Sequence, residues 1–403
     1  MDRKHYFVIL LALLLPVISL SAKDFGLSLD TTAAYEDYGV SNKALDKLYY
    51  AGTAIPWFST PLGAGADLYL SAGIGVEYTN QAWTFIPELL QNELTLRFGW
   101  NGELKIGRTY YADPLGFVVN GLFDGARLTV DLGTTTLGVG AWYTGFLYKK
   151  RANITISNAD LIGYNTKLDY SNFLNTYFAP RRLIAALDWE HPGLAEMIRL
   201  KLALIGQFDF TDKEDLHSQY LTAKISVPIQ SFVFEMGGCA GLAQNDGTNQ
   251  FFFAGEAGIN WMLPTSIQDS LMLSGRYSSG MINDTLVAFV PVTTESQGNV
   301  LKAKLSGLST LNLGYSARLH QNFSLSLLSS YFILNDLKTY SGLPAGRKGY
   351  FLGNEFYGHA VWSPVSDLQL RAGGGVFLPS LGNADPNGKT LWRVDLNLVF
   401  AIL

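Results

Sequence analysis

The chain has 403 residues, 48% of them hydrophobic and 16% charged, with a formal net charge of −5 and one cysteine. That length would ordinarily mean roughly two or three soluble domains, yet no Pro-rich, Ser-rich or charged linker divides it, and a mean hydropathy of +0.13 is far too low for a bundle of membrane helices. With neither a basic stripe nor an acidic tail, nothing points to a nucleic-acid partner, and Cys239 on its own rules out an internal disulfide framework.

In chain order, Arg3, Lys4 and His5 precede the apolar run YFVILLALLLPVISL, followed by Ser21 and Ala22. This is the pattern of a cleaved secretory signal peptide, residues 1–22, with small residues at the cleavage site. The run is too short and wrongly flanked for a spanning helix, and no Cys follows it to carry a lipid anchor. Residues 23–403 then read as a single domain of alternating segments: 25–36, 48–60, 66–78, 84–98, 102–111, 122–132, 135–148, 181–190, 196–210, 218–229, 231–244, 250–263, 268–280, 302–320, 322–335, 350–363, 366–378 and 389–403, eighteen in all. Pro56 and Pro87 fall inside the second and fourth, where a missing N–H weakens a ladder.

The connections alternate in length. GWNG, LGTT, EHPGL, PIQS, LPTSIQ, LHQN and SPVSD are tight, whereas 149–180, 281–301, 336–349 and 379–388 are long. An up-and-down outer-membrane barrel has this rhythm, with turns in the periplasm and loops outside, and an even strand number returns both ends to the periplasm.

The faces are read strand by strand. Ile198, Leu200, Leu202 and Leu204 alternate with Arg199 and Lys201; Leu94, Leu96 and Phe98 oppose Glu93 and Arg97; Leu104 and Ile106 oppose Glu103 and Lys105. Leu128 and Val130 oppose Arg127 and Asp131, and Leu368 and Leu370 oppose Gln369 and Arg371. The last segment is the most regular: Trp392, Val394, Leu396, Leu398, Phe400 and Ile402 interleave with Arg393, Asp395 and Asn397. Period two puts one face in lipid and the other in a hydrated interior. The fold class expected is therefore all-β, a transmembrane antiparallel up-and-down barrel of about eighteen strands. Its closing strand must pair with the first, because no open edge survives in lipid. Such a strand is also the signal that barrel-assembly machinery reads, although here it ends in Leu403 rather than an aromatic residue. Tyr78, Trp83, Trp100, Trp142, Tyr148, Trp189, Trp261 and Trp362 fit aromatic girdles at the two interfaces.

Two stretches, LKIGRTYYADPLGFVVNGLFDGARL at 104–128 and FLGNEFYGHAVWSPVSDLQLRAGGGVFLP at 351–379, resemble the alginate-export and related eighteen-stranded porin family. The resemblance implies a lumen lined by charged ladders and a loop folded into the pore, with Glu355 at the position of the motif's acidic residue and Arg108 at that of its arginine. Arg108 breaks the alternation, because Ile106 precedes it on the lipid face, so a bulge or a position above the membrane core is required there.

Catalytic chemistry finds little to use. His191, His217, His320 and His359 are remote from one another and in no HxxxH or HExxH spacing, and the glycines at 373–375 suit a crowded strand rather than a phosphate loop. No cofactor or metal is called for. The candidate pore-lining residues are Arg97, Lys105, Arg127, Asp131, Arg199, Lys201, Glu235, Glu256, Arg276, Arg318, Glu355, Arg371, Arg393 and Asp395. Mixed rows of this kind favour a water-filled channel in the bacterial outer membrane for small polar or anionic solutes. The rivals are a hydrophobic-uptake barrel of the fatty-acid type, or an adhesin acting through the loop 149–180.

Arg199 and Lys201 lie about 7 Å apart on one face, so a single opposing carboxylate leaves part of their field in the lumen. Weak anion preference at low salt is expected, reduced when both become Glu and fading as salt rises. Reversal potentials of the wild type and the R199E/K201E variant under a salt gradient test this, and identical values would place both side chains outside the selectivity mechanism.

Overall fold

The structure is a computed structural model that describes residues 24–37, 47–211, 216–245, 247–283, 285–339 and 349–402; the expected signal peptide lies outside them. The strands are β1 (Asp24–Asp37), β2 (Leu48–Gly63), β3 (Ala66–Thr79), β4 (Ala82–Phe98), β5 (Gly102–Ala112), β6 (Asn120–Asp131), β7 (Thr136–Tyr143), β8 (Arg182–Leu194) and β9 (Ile198–Asp209). They continue through β10 (Leu216–Ile229), β11 (Phe232–Asn245), β12 (Thr248–Met262), β13 (Ser270–Ser278), β14 (Leu308–His320), β15 (Phe323–Leu334), β16 (Phe351–Val365), β17 (Leu368–Leu378) and β18 (Leu391–Ile402). Each pairs antiparallel with the next, and β1 pairs with both β2 and β18, so the sheet of eighteen strands closes on itself. Among the described residues no helix is long and apolar enough to cross a membrane.

The twelve residues of β18 at about 3.3 Å each span about 40 Å, which a strand tilt of about 40° reduces to about 30 Å, the thickness of a hydrocarbon layer. Closure register runs from Leu27 opposite Ile402 to Asp37 opposite Trp392, which sets Ala34 and Glu36 of β1 beside Asp395 and Arg393 on the inner face. The outer face is apolar: Phe25, Trp83, Val139, Leu204, Met236, Leu313 and Val394 are all exposed. Trp83, Trp100, Trp261 and Trp362 are also exposed on the outside. Trp142 and Tyr148, by contrast, are buried inside the barrel, because their rings pack on Tyr111 and Tyr177.

Both prolines are accommodated. Pro56 sits opposite Leu27, and Pro87 opposite Ile74, beside a β-bulge at Ser71 where the ladder is already irregular. Two segments are shorter than the alternation implies. The seventh stops at Tyr143 rather than 148, and the fourteenth begins at Leu308 rather than 302. In the latter, Val300, Ala303 and Leu305 are buried while Lys302 and Lys304 are exposed. An extended loop lying on an apolar surface alternates just as a strand does, so periodicity cannot tell the two apart.

The eight connections from 64–65 to 366–367 that follow even-numbered strands are short and lie at one end of the barrel; the long ones, 113–119, 144–181, 279–307 and 379–390, lie at the other, together with the two-residue connections 80–81 and 246–247. Three of the long ones turn inward and form an apolar core within the barrel: Leu115, Phe117 and Val118 from the first, Leu147 and Ile154 from the second, and Phe289, Val292 and Leu305 from the third. These pack on Phe123, Ile184, Ile205, Tyr220, Cys239 and Phe252 of the wall. Leu115 reaches as far as β11, where Gly237 leaves it room: a Cβ there would lie 2.3 Å from its methyl group.

Removing β18 would leave two edges of unpaired N–H and C=O groups, each costing several kcal/mol, roughly, in hydrocarbon. A chain truncated after Leu391 is expected to lose the shift between unboiled and boiled mobility that a closed barrel shows on a denaturing gel. Retention of that shift would show that β1–β18 pairing is dispensable.

Candidate functional site

The inward loops are held by buried charges that accept backbone hydrogen bonds. Asp113 accepts the N–H groups of Leu115, Val118 and Val119 at 2.8, 2.9 and 2.9 Å; burial pushes its pKa up while these donors oppose the shift. The loop then carries the next: the Val118 carbonyl accepts from Val292 and Thr293, and Asn120 donates to Glu295 at 2.6 Å. Glu355, buried on β16, accepts from the N–H groups of Asn299, Val300 and Leu301 at 2.7, 3.0 and 2.7 Å.

The segment 144–181 contains three short helices, α1 (Lys149–Ala152), α2 (Asn158–Asn165) and α3 (Phe173–Thr176). Ser157 caps α2 in a box with Asp160. The same Asp160 meets Arg182 at 2.6 Å, and Arg182 also meets Asp209 at 3.1 Å, all three side chains sealed from water. Lys149 donates to the Gly163 and Thr166 carbonyls at 2.9 and 2.6 Å, tying α1 to the end of α2. Its burial, with Lys150 adjacent, brings its pKa down to about 8.

With the β5–β12 side filled, a hollow of about 410 Å³ remains between α1 and the wall of β1–β4. Asp30, Glu77 and Glu88 lie on its wall side, and Lys150 and Arg151 on its loop side. Arg151 pairs with Glu88 at 3.1 Å. Among the described residues Lys150 is ion-paired with no carboxylate and lies 3.7 Å over the Tyr164 ring, with Glu77 the nearest opposing charge acting on it; Lys304 donates to Thr155 at 2.9 Å.

Most of the sequence-derived candidates lie on the inner face, and most are paired there. Arg97 pairs with Asp67 and, at 3.4 Å, with Glu103; Lys105 with Glu93 at 2.9 Å; Arg127 with Asp188 at 3.0 Å. Arg199 and Lys201 share Glu190 at 3.7 and 3.3 Å. Lys224 spans Glu235 and Glu256 at 3.5 and 3.0 Å, and Arg276 joins Glu256 at 3.2 Å. Arg393 lies between Glu36 at 2.7 Å and Asp395 at 3.0 Å. Arg371 has no carboxylate partner; its guanidinium lies 5.9 Å over Tyr357. Three candidates do not line open space. Glu355 is covered by residues 299–301, Arg318 donates to the Gln321 carbonyl in a turn at the short-connection end, and Asp131 caps Gly133 at that same end.

Arg108 is on the outer row, as the alternation requires, yet only 5% exposed. It grips Asp124, directly across on β6, at 2.7 and 2.8 Å, and donates to the Leu89 carbonyl next to the β4 bulge and to that of Phe146. No bulge interrupts the pairing of Arg108 itself: it stays on the outer row and is neutralised there, and the irregularity lies between β3 and β4. Lys150, Arg151, Glu77 and Glu88 escaped the sequence reading, whereas Lys304, which the alternation places on the polar face of segment 302–320, lies instead on the loop 279–307. Lys150 and Arg151 carry no period-two signal, and Glu88 directly follows Pro87 in an irregular strand.

No family model matches the chain, and no curated protein matches it. Solved structures do share its fold. The Pseudomonas aeruginosa protein OccK2 (OpdF) is similar with a TM-score of 0.64 at 13% identity over 95% of this chain and 99% of that one, and has also been solved in complex with glucuronate. The outer membrane protein opdK of the same organism gives 0.59 at 14% identity over 94% and 99%, and its OprD gives 0.60 at 11% over 95% and 97%.

Replacing Glu355 by Ala strands the donors of residues 299–301, at about 1–3 kcal/mol for each buried group left unpaired. The loop 279–307 should become open to limited proteolysis in E355A but far less in E355Q, which keeps an acceptor oxygen. Equal protection in both variants would show that the loop is held elsewhere.

Proposed function

We propose that the protein is a bacterial outer-membrane channel through which small polar or anionic solutes diffuse. In this reading residues 1–22 are a cleaved signal peptide, barrel-assembly machinery inserts residues 23–403, and the chain performs no catalysis. The observation that carries it is the contrast between wall and loop. Charges on the wall are largely paired, so their fields cancel over short distances, whereas Lys150 and Lys304 project from the inward loops without a carboxylate partner. Facing Asp30 and Glu77 across the hollow, Lys150 sets up a transverse field where the route is narrow, and unscreened charge in a confined pore decides which ions pass. A hydrophobic-uptake route would need a continuous apolar lining, which the inner charged rows interrupt. The likeness to the outer membrane protein opdK and to OccK2, solved with the small anion glucuronate, supports the same reading.

Planar-bilayer recording tests it. Wild type should conduct with mild anion preference at low salt, and K150E/K304E should reverse or abolish that preference while leaving boiled and unboiled mobilities unchanged. Preference unchanged in the double variant would overturn the assignment of selectivity to the loops.

A pH dependence follows as well. Burial pushes Lys150 and Lys304 below the ordinary lysine value, and Lys302 in the same direction. A lowered pKa means that the ammonium gives up its proton earlier as pH rises. Anion preference should therefore decline with rising pH before an ordinary lysine would begin to titrate, as reversal potentials taken in steps from neutral to alkaline pH would show.

A further inference from the structure

The inner face is not uniformly charged. Between Arg276 on β13 and Arg371 on β17, the inward rows of β14 and β15 present Leu308, Thr310, Asn312, Gly314 and Ser316, then Ser326, Leu328, Ser330, Phe332 and Leu334, with no ionisable group among them. Against this sector lies a hollow of about 500 Å³, within the size range of about 300–1,000 Å³ typical of small-molecule sites. Its polar lining comes from six neighbouring strands: Glu235, Asn260, Ser274, Ser316, Ser326 and His359. Met272 and Leu328 add apolar surface from the same inner rows.

Most of this polar lining is unengaged. Ser316 bonds to Ser270 at 2.9 Å and Glu235 meets Lys224 at 3.5 Å, but among the described residues the side chains of Asn260, Ser274, Ser326 and His359 make no hydrogen bond. The row continues toward the loop end through Asn312, paired in register with Ser274 and with Ser330. There Thr310 Oγ1, Asn312 Oδ1 and Ser330 Oγ are buried and without any partner, Thr310 and Ser330 being 4% and 1% exposed. Buried polar atoms are seldom left unsatisfied, and these three continue the uncharged polar row beyond the hollow.

We propose that the wall of β12–β16 is a subsite for uncharged polyhydroxylated solutes, of the size of a hexitol or monosaccharide, separate from the charged hollow beside β1–β4. Hydroxyl and amide groups that both donate and accept suit a solute whose O–H groups do the same, and the carboxylate of Glu235 accepts only. Met272 and Leu328 offer apolar surface to the C–H face of such a solute. The absence of charge along the inner rows from Leu308 to Ser316 and from Ser326 to Leu334 spares a neutral molecule from competing with tightly held counterions. This inference rests on the channel reading above.

The test adds mannitol to one side of a bilayer holding a single wild-type channel in potassium chloride. Brief current interruptions whose frequency saturates with mannitol concentration are expected, and trimethylamine N-oxide, polar but without O–H groups, should produce none. S274A/S326A and N260L should each raise the half-saturating concentration by about fivefold to tenfold, as loss of one or two hydrogen bonds implies, with conductance and reversal potential in salt alone unchanged. Absence of saturable interruptions in a channel that conducts salt normally would overturn the subsite while leaving the channel reading intact. Equal effects of mannitol and trimethylamine N-oxide, or variants that keep the wild-type half-saturation, would overturn it too. A purified, heat-modifiable barrel that conducts nothing would instead overturn the channel reading beneath it.

Discussion

Hydrogen bonding of the backbone in a medium without water governs this structure. Every N–H and C=O on the outer surface must find a partner within the sheet, and only closure of β18 onto β1 removes the last two edges. Once the sheet is closed, period two does the rest: alternate residues meet lipid or the interior, and ionisable groups are confined to the inner row. Arg108 and Asp124 show the cost of an exception. They lie on the outer row, and the structure neutralises them by direct pairing and by spending the carbonyl beside a bulge on the guanidinium.

Closing eighteen strands makes a tube too wide for side chains alone to fill, and the loops supply what the wall cannot. Their apolar residues form a core inside the barrel, each fully buried Leu or Phe contributing about 1.5–3 kcal/mol. Apolar contact alone does not fix a loop's path. Asp113 and Glu355 do so by collecting backbone N–H groups that burial would otherwise leave unpaired, and the Arg182 cluster joins α2 to the wall. Removing one member of such a buried charged cluster costs about 3–5 kcal/mol, because the remaining charge stays buried. The loops are therefore anchored to the wall by buried charge as well as by apolar contact, and they leave a hollow on the β1–β4 side.

Pairing then distributes the electrostatics. A cation flanked by two carboxylates, as Arg97 and Arg393 are, acts beyond a few ångströms as a dipole or as nothing. Arg199 and Lys201 share one glutamate, so one net positive charge remains, but both side chains are more exposed than their partner's position would need for a strong field in salt. Lys150 and Lys304 are different: they are carried on loops and partly desolvated, with no ion-paired carboxylate among the described residues, and Glu77 acts on Lys150 as an opposing charge. The neutral sector of β14 and β15 completes a division of the interior into charged and uncharged lanes.

The sequence by itself determined the barrel. Eighteen alternating segments, the rhythm of short and long connections, and the zigzag from Trp392 to Ile402 each follow from local period, which lipid on one side and water on the other impose directly. It also placed most of the wall charges on the correct face, for the same reason. It could not decide which of them act. Whether Glu355 lines water or holds a loop depends on residues 299–301, which lie more than fifty positions away, and the alternation of Leu301 to Leu305 is identical for a strand and for a loop laid on an apolar core. Lys150 and Lys304 gain their meaning only when the loops fold inward and set them on Tyr164 and Thr155 rather than in an ion pair with a described carboxylate. That is a property of long-range packing, to which no local period gives access.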